Sequence, residues 1–527
     1  MRGRSKVSLA AAERLIDESG LALYIDNLIK EKTGRGRPRQ LSVRTMLVGC
    51  VLTSQSGRSH LVRVEETLNA LPYSTKRRLG LDPKKGVTYR QITRLYALMT
   101  SVIDEKDAST LDDRLVHFDE ICGRLAFFSA HKDARTAPSI ALDATDIETW
   151  GTNRSRKKKS DGTDRMRASH RREGRQVFTD PDAGSRAAMK SKGRDYHAVY
   201  VPKRPPLFGY EMTTATVVRE VNGKEIPFGT TAMRFRPATV DVVKMGLAVV
   251  AEHASRSGVI GDVIFDRGYN HSQDGSDFIM PIRAIGGEPV FELQPNQVGT
   301  RGITRGALMI DGHPFSPSLP EKFHFIEPVS IKEDTAKILA WQQEIELRSK
   351  WALEPHGKRK ANGSQVYMCP AHAGKLFCPL ATGAKPAKKG TLPVLNAPTV
   401  MAPDSVCSRK FSTFDVTDAP LAQRDLYGSK EWFTSMCRRN SVEGFYAGVK
   451  DHACENLKRG GIRVLGIVKY GLLVAIGVAS VNLRMAANWD KDGDQYRASK
   501  RRGRPVKNHL SKHAELIGST VSRPIRE

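Results

Sequence analysis

Apolar and polar positions change their rhythm several times along the chain, and each change predicts a different kind of element. Residues 8–30 read as one or two helices, and the Gly/Pro/Arg stretch GRGRPRQ at 34–40 breaks them. Leu41–Gln55 is mostly apolar and predicts a helix, and Arg58–Ala70 predicts another. Thr88 and Gln91 form a capping-box pattern ahead of Ile92, Leu95, Met99 and Val102, a helix with Arg90 and Arg94 on its polar side. At Ser139–Gly151 the rhythm becomes alternating and predicts a strand with Asp143 at its centre. YHAVYV (196–201) and GYEMTTATVV (209–218) read as strands. Val240–His253 has helical periodicity, and VIGDVIFDRGYN (259–270) is a strand that ends at Asp266 and turns at Gly268. Residues 271–430 lose this rhythm, apart from a helix expected over Thr335–Lys350. Met436–Lys450 then places Val442, Phe445, Tyr446 and Val449 on one stripe of a helix. Strands alternating with helices in this way predict a mixed α/β unit behind an all-α beginning.

Charge changes the picture first. Lys and Arg number 84 against 57 Asp and Glu, a formal charge of +27, which implies a polyanionic partner, most plausibly DNA or RNA. The basic residues are spread over the whole chain, which weakens an anionic membrane surface as that partner. Residues 152–195 are polar and basic with almost no apolar content, and read as a loop that orders on its partner. Val464–Leu483 is nearly long enough to cross a bilayer but contains Lys469 and three glycines, so a buried core helix is the better reading and no membrane partner is expected. Seven cysteines are too few and too scattered for a disulfide framework, and no signal peptide is evident, which fits a reducing, cytoplasmic setting.

Three carboxylates carry the candidate chemistry. Asp143 lies within one strand, Asp266 at the end of another and Glu443 on a helix face, with Arg439 and Lys450 along that same helix. Brought together, three carboxylates can hold two Mg²⁺ ions, or Mn²⁺, about 3.5–4 Å apart and run phosphoryl transfer on a nucleic acid. The order strand-Asp, strand-Asp, insertion, helix-Glu resembles that of the DDE transposases of bacterial insertion sequences. IALDAT around Asp143 resembles their first-Asp strand, and VIFDRGY around Asp266 is close to their second-Asp motif. Arg439-x3-Glu443-x6-Lys450 matches the Tyr-Arg-Glu-Lys signature of a subgroup, with Met436 where that subgroup has Tyr. DPDAGSRAAMKSKGRDYHAVYV (180–201) resembles the segment between the first two catalytic aspartates. The likeness covers roughly 35–485.

The resemblance implies an RNase H-like catalytic core, a mixed sheet flanked by helices, with an N-terminal all-α DNA-binding module and a large insertion before the catalytic Glu. The expected division is 1–135 for the helical module, 136–270 for the first part of the core, 271–430 for the insertion, 431–490 for the core's C-terminal helices and 491–527 for a basic tail. It implies binding of double-stranded DNA at inverted repeats, metal-dependent cleavage and strand transfer, and a dimer or larger assembly on DNA. Asp143, Asp266 and Glu443 would hold the metals, Arg439 and Lys450 would contact phosphates, and Arg267 and Tyr269 come next. Asp146 is the rival for the first position, but strand alternation sends it to the face opposite Asp143. Further DNA contacts are expected from Arg90 and Arg94 on a helix-turn-helix-like reader. Arg35 and Arg37, and Arg502 and Arg504, lie in two Arg-Gly-Arg-Pro segments suited to a minor groove. Cys369, His372, Cys378 and Cys407 could form a tetrahedral zinc site or be unrelated thiols. A catalytically inactive DNA-binding relative and an RNase H-like nuclease that does not join strands are the competing readings.

Overall fold

The computed structural model describes residues 6–34, 39–151, 180–186, 207–378, 380–381 and 405–501, less positions 239, 332, 361, 452 and 453, together with the backbone of 157–158 and 164–165. One mixed sheet positions everything that follows. Its strands are β1 (Ile140–Glu148), β2 (Gly184–Arg186), β3 (Leu207–Val217), β4 (Thr230–Pro237), β5 (Asp262–Phe265) and β6 (Glu288–Phe291). β1 takes a central place because Ile140, Ala141 and Leu142 are apolar on both faces, and all three are fully buried. It pairs antiparallel with β3 and parallel with β5. β3 pairs along its far edge with β2 and then β4, both antiparallel, and β5 pairs parallel with β6.

Helices flank this sheet. Val242–Ser257 starts where the Asp241 carboxylate accepts the Val243 N–H at 2.9 Å, and stops at Gly258, whose φ of 71° only glycine adopts freely. The long helix Ile467–Arg501 runs against Val116–Ser129, Val43–Ser54 and β4. Gly471 sets how closely it approaches, since a Cβ there would lie 2.4 Å from the Phe118 ring and 2.8 Å from Phe235. Among the described residues this is the one helix long and apolar enough to cross a membrane, and most of its apolar stretch is buried inside the fold.

The first 135 residues are all-α, with Leu9–Glu18, Leu21–Thr33, Val43–Ser54, Leu61–Asn69, Tyr89–Ile103 and Val116–Ser129 as the main helices. Thr88 and Gln91 form the reciprocal cap read from the sequence. Ile92, Leu95, Met99 and Val102 are buried, and Arg90 and Arg94 are exposed. These helices are not an independent body. One hydrophobic core runs from Val7 to Val481 and joins them to the sheet and to the C-terminal helices. Buried ion pairs cross the same boundary: Arg236 on β4 donates to Asp119 at 2.6 and 2.8 Å.

Three expectations change. Met436–Lys450 is not one helix: Lys430–Cys437 and Asn440–Val449 are separated by a turn at Arg438 and Arg439. The two arginines turn inward to opposite demands, Arg438 to the buried carboxylate of Asp262 and Arg439 to the candidate site. Second, the insertion begins later than residue 271. β6 belongs to the main sheet, because the Glu288–Phe291 backbone completes a parallel ladder with β5, and the helix Ile279–Ala284 packs against it. The insertion beyond it carries two three-stranded sheets and the helix Thr335–Ser349, with small cores of its own. Third, β4 was not foreseen; Met233, Arg234, Phe235 and Arg236 alternate, but Arg234 and Arg236 also take inward positions, where acids pair with them. The strand expected at 196–201 and nearly all of the basic loop lie outside the described residues.

Asn482 ties the sheet to the helical region. Its fully buried amide donates to the carbonyls of Ala126 at 3.0 Å and Thr230 at 2.8 Å and to the Ser129 hydroxyl at 2.9 Å, while its oxygen accepts the Thr230 N–H at 2.9 Å. Asn482→Ala leaves several buried backbone groups unpaired and should cost about 3 kcal/mol in urea denaturation. A loss below about 1 kcal/mol would show that this amide is not a principal tie.

Candidate active site

The two aspartates meet because of strand register. In the parallel pair, Ile140 stands beside Val263 and Ala141 beside Ile264. Two residues further on, and on the same face, Asp143 within β1 comes level with Asp266, which directly follows the last residue of β5. Each spends one oxygen on nearby backbone. The Ala144 N–H donates to Asp143 Oδ1 at 2.8 Å, and the Gly268 N–H to Asp266 Oδ1 at 2.8 Å, where Asp266 caps the single turn Arg267–Tyr269. The Asn440–Val449 helix packs across β1 and β3 and brings Glu443 to the same place.

Arg439 stands at the point where the three converge. Its Nη2 donates to Asp143 Oδ2 at 3.3 Å and to Asp266 Oδ2 at 3.2 Å, and its Nη1 donates to Glu443 Oε1 at 3.2 Å. Arg439 is 8% exposed, and its Nε is buried without a partner. Side-chain exposure rises from 20% at Asp143 to 35% at Asp266 and 42% at Glu443, so the cluster opens toward the Glu443 side. Burial pushes the Asp143 carboxyl up to about 6; Arg439 pulls against this shift, and the nearby Asp266 and Glu443 add to it. Among the described residues no three His, Cys, Asp or Glu side chains form a group that could hold a metal as they stand, these three included: they surround a guanidinium. Their chemistry fits Mg²⁺, since hard anionic oxygens gathered around one cation are the donor set that ion takes.

Lys450 lies at the far end of the same helix. Its ammonium donates to Thr145 Oγ1 on β1 at 2.6 Å, and burial lowers its pKa while Asp146 and Asp143 oppose that shift. Asp146, three residues from Asp143 on β1, acts on Lys450 through its charge. Arg267 sits half-buried beside Asp266. Tyr269 corrects the sequence reading. It is 3% exposed and stacked on Phe278 at 5.2 Å, so its ring is part of the core packing and not of the exposed surface. Tyr446 was read only as part of an apolar stripe, yet its hydroxyl donates to the Asp143 carbonyl at 2.6 Å and bonds the Thr214 hydroxyl at 2.9 Å. Its position three residues after Glu443 was the available signal, because that spacing keeps both on the side facing β1.

Among the described residues, the cysteine and histidine candidates of the insertion do not join this cluster. Cys369, Cys378 and Cys407 are free thiols near one another in the insertion; burial raises the Cys369 thiol, and Cys407 and Cys378 add to the shift. With His372 they do not form a closed ligand set. Arg35, Arg37, Arg502 and Arg504 lie outside the described residues.

Asp143 makes stability depend on pH. With its carboxyl moved from 3.8 to about 6, the folded protein holds a proton across that window that the unfolded chain has released. The group therefore favours folding below the window and costs stability above it, by on the order of 3 kcal/mol at about pH 7.5. Metal-free Asp143→Asn should be more stable than the parent at about pH 7.5 in urea denaturation, with the gain closing as pH falls to about 4. No gain at the higher pH would overturn this account of the carboxyl.

No family model matches the chain, and no curated protein matches it.

Proposed function

We propose that this chain is a DDE-type DNA transposase with an RNase H-like catalytic core. The observation that supports the reading best is the meeting of Asp143, Asp266 and Glu443 around one cation, from elements that follow one another in the order the resemblance implies. The likeness in sequence concerns short motifs far apart in the chain. That three of their carboxylates share one guanidinium is an independent reason to treat them as one site.

In this reading Asp143, Asp266 and Glu443 would hold two Mg²⁺ ions. When bound, Mg²⁺ supplies Lewis acidity that activates a water or a 3′-hydroxyl and stabilises the oxygen leaving phosphorus. The chain's own groups do the rest. Tyr446 fixes the β1 backbone at Asp143, so the first carboxylate keeps its aim. Arg439 and Lys450 offer charge to the phosphates beside the reacting bond, and Arg267 stands next to the second aspartate. The formal charge of +27 supplies the sequence-independent attraction for double-stranded DNA, and the exposed Arg90 and Arg94 offer further contacts on the helical region. Two ends must be brought together for strand transfer, which calls for a dimer or larger assembly on DNA.

The test is cleavage and joining on DNA carrying the ends of the chain's own element, with Mg²⁺ or Mn²⁺. Asp143→Asn, Asp266→Asn and Glu443→Gln should each lower both products by at least about a thousandfold, roughly 4 kcal/mol of transition-state stabilisation. Cutting without end preference or joined product would favour a nuclease, and tight end binding with no cutting would favour a DNA-binding protein. Undiminished activity in Glu443→Gln would remove that residue from the site.

A further inference from the structure

Arg439 uses the oxygens that a metal would need. Asp143 and Asp266 each have one oxygen tied to a backbone N–H, and it is the other, Oδ2 in both, that meets the guanidinium. Glu443 meets it through Oε1. The contacts of 3.2–3.3 Å exceed the roughly 2.8 Å of a strong charge-assisted bond, so one cation is shared loosely among three anions. A divalent ion at about 2.1 Å from these oxygens would face the guanidinium at close range, and like charges so enclosed repel strongly.

We propose that Arg439 is the resident counter-ion of the metal-free site, and that metal and a DNA phosphate bind cooperatively because each displaces it from the carboxylates. The proposal rests on the reading of the three carboxylates as a metal site. Without DNA, a metal must turn a buried guanidinium away from all three of its carboxylate partners, leaving Glu292 as the other acidic group that acts on it, and breaking buried pairs in that way is costly. A phosphate removes the cost by taking the guanidinium. The position of Arg439 suits the exchange. It lies in the turn between Lys430–Cys437 and Asn440–Val449, so its side chain starts from a break in the helix. Linkage makes the effect mutual: if phosphate strengthens metal binding, metal strengthens phosphate binding by the same factor. The free protein would then hold a shielded cluster, and the site would load only where a backbone phosphate is present to receive Arg439.

Mn²⁺ binding, read as the loss of the free-ion signal in electron paramagnetic resonance, tests this without any turnover. A short random-sequence duplex at low salt serves as the phosphate source. In the parent protein the duplex should tighten Mn²⁺ binding by about tenfold, within the usual range of coupling between sites. Arg439→Gln should bind Mn²⁺ at least about fivefold more tightly than the parent without DNA, and gain little from the duplex. Arg439→Lys, which keeps the charge, should stay near the parent. Equal or weaker Mn²⁺ binding by Arg439→Gln overturns the proposal. If that variant does not fold, absence of coupling in the parent overturns it as well. The double variant Asp143→Asn, Asp266→Asn separates the two ideas. Mn²⁺ binding unchanged there refutes the carboxylate site itself, whereas binding lost there but unaltered in Arg439→Gln refutes only the exchange.

Discussion

Three carboxylates in one partly enclosed place would repel one another and resist burial, and the fold solves this with one guanidinium. Arg439 reaches Asp143, Asp266 and Glu443 at 3.2–3.3 Å, and the geometry of the surrounding elements follows from getting it there. The helix must break before Asn440 so that Arg439 can turn toward the sheet, and the preceding Arg438 is anchored on Asp262 at the start of β5. Asp262 also receives Arg424 at 2.8 Å, so both ends of the Asp266 strand are fixed by charge as well as by ladder bonds. The balance is still incomplete, three anions against one cation; burial raises the Asp143 carboxyl first, and the neighbouring Asp266 and Glu443 add to the shift against the pull of Arg439. Sites that hold like charges together are where a fold gives up stability for function.

The sheet supplies the other half of the constraint. Parallel pairing of β1 with β5 levels the two aspartates without any side chain having to reach, and Tyr446 locks the third element to the first through the Asp143 carbonyl. An insertion of more than a hundred residues can sit between β6 and the Lys430–Cys437 helix because closing a longer loop costs little more than closing a short one. The insertion keeps small cores of its own, and the main core stays continuous from Val7 to Val481. The all-α beginning shares that core, so motion of the basic helical face relative to the carboxylates would have to break Asn482 and Arg236 contacts.

Much of this was legible where local rules act alone. The Thr88 cap, the Ile140–Glu148 strand, the Asp266 turn and the stripe Val442, Phe445, Tyr446 and Val449 all follow from spacing and capping chemistry. What the sequence hid depends on distant partners. β4 carries Arg234 and Arg236 at inward positions that look wrong until Glu252 arrives from the next helix and Asp119 from one more than a hundred residues earlier. β6 is only the run Glu288–Phe291 with a proline inside, and becomes a strand because β5 offers it an edge. Tyr269 follows an aspartate in a motif and so invited a role at the surface, but Phe278 draws its ring under the site. Arg439 was read by its charge as a phosphate ligand; that its first partners are the carboxylates could not be seen without the register of β1 and β5.

Charge on two scales then makes sense together. Over the whole molecule the excess is +27, which draws any polyanion, while around Asp143 on β1 and Asp266 after β5 the local balance is negative. A polyanion approaching on the long-range field would meet a local repulsion at the one place where the candidate chemistry lies. A divalent cation removes that repulsion, and so would a guanidinium that turns from the carboxylates to the incoming phosphate. Arg439 sits where it can serve either side of that balance. On the proposed reading, the turn at Arg438 and Arg439 is more than a flaw in a predicted helix: it would give one cation a choice between three carboxylates and a phosphate.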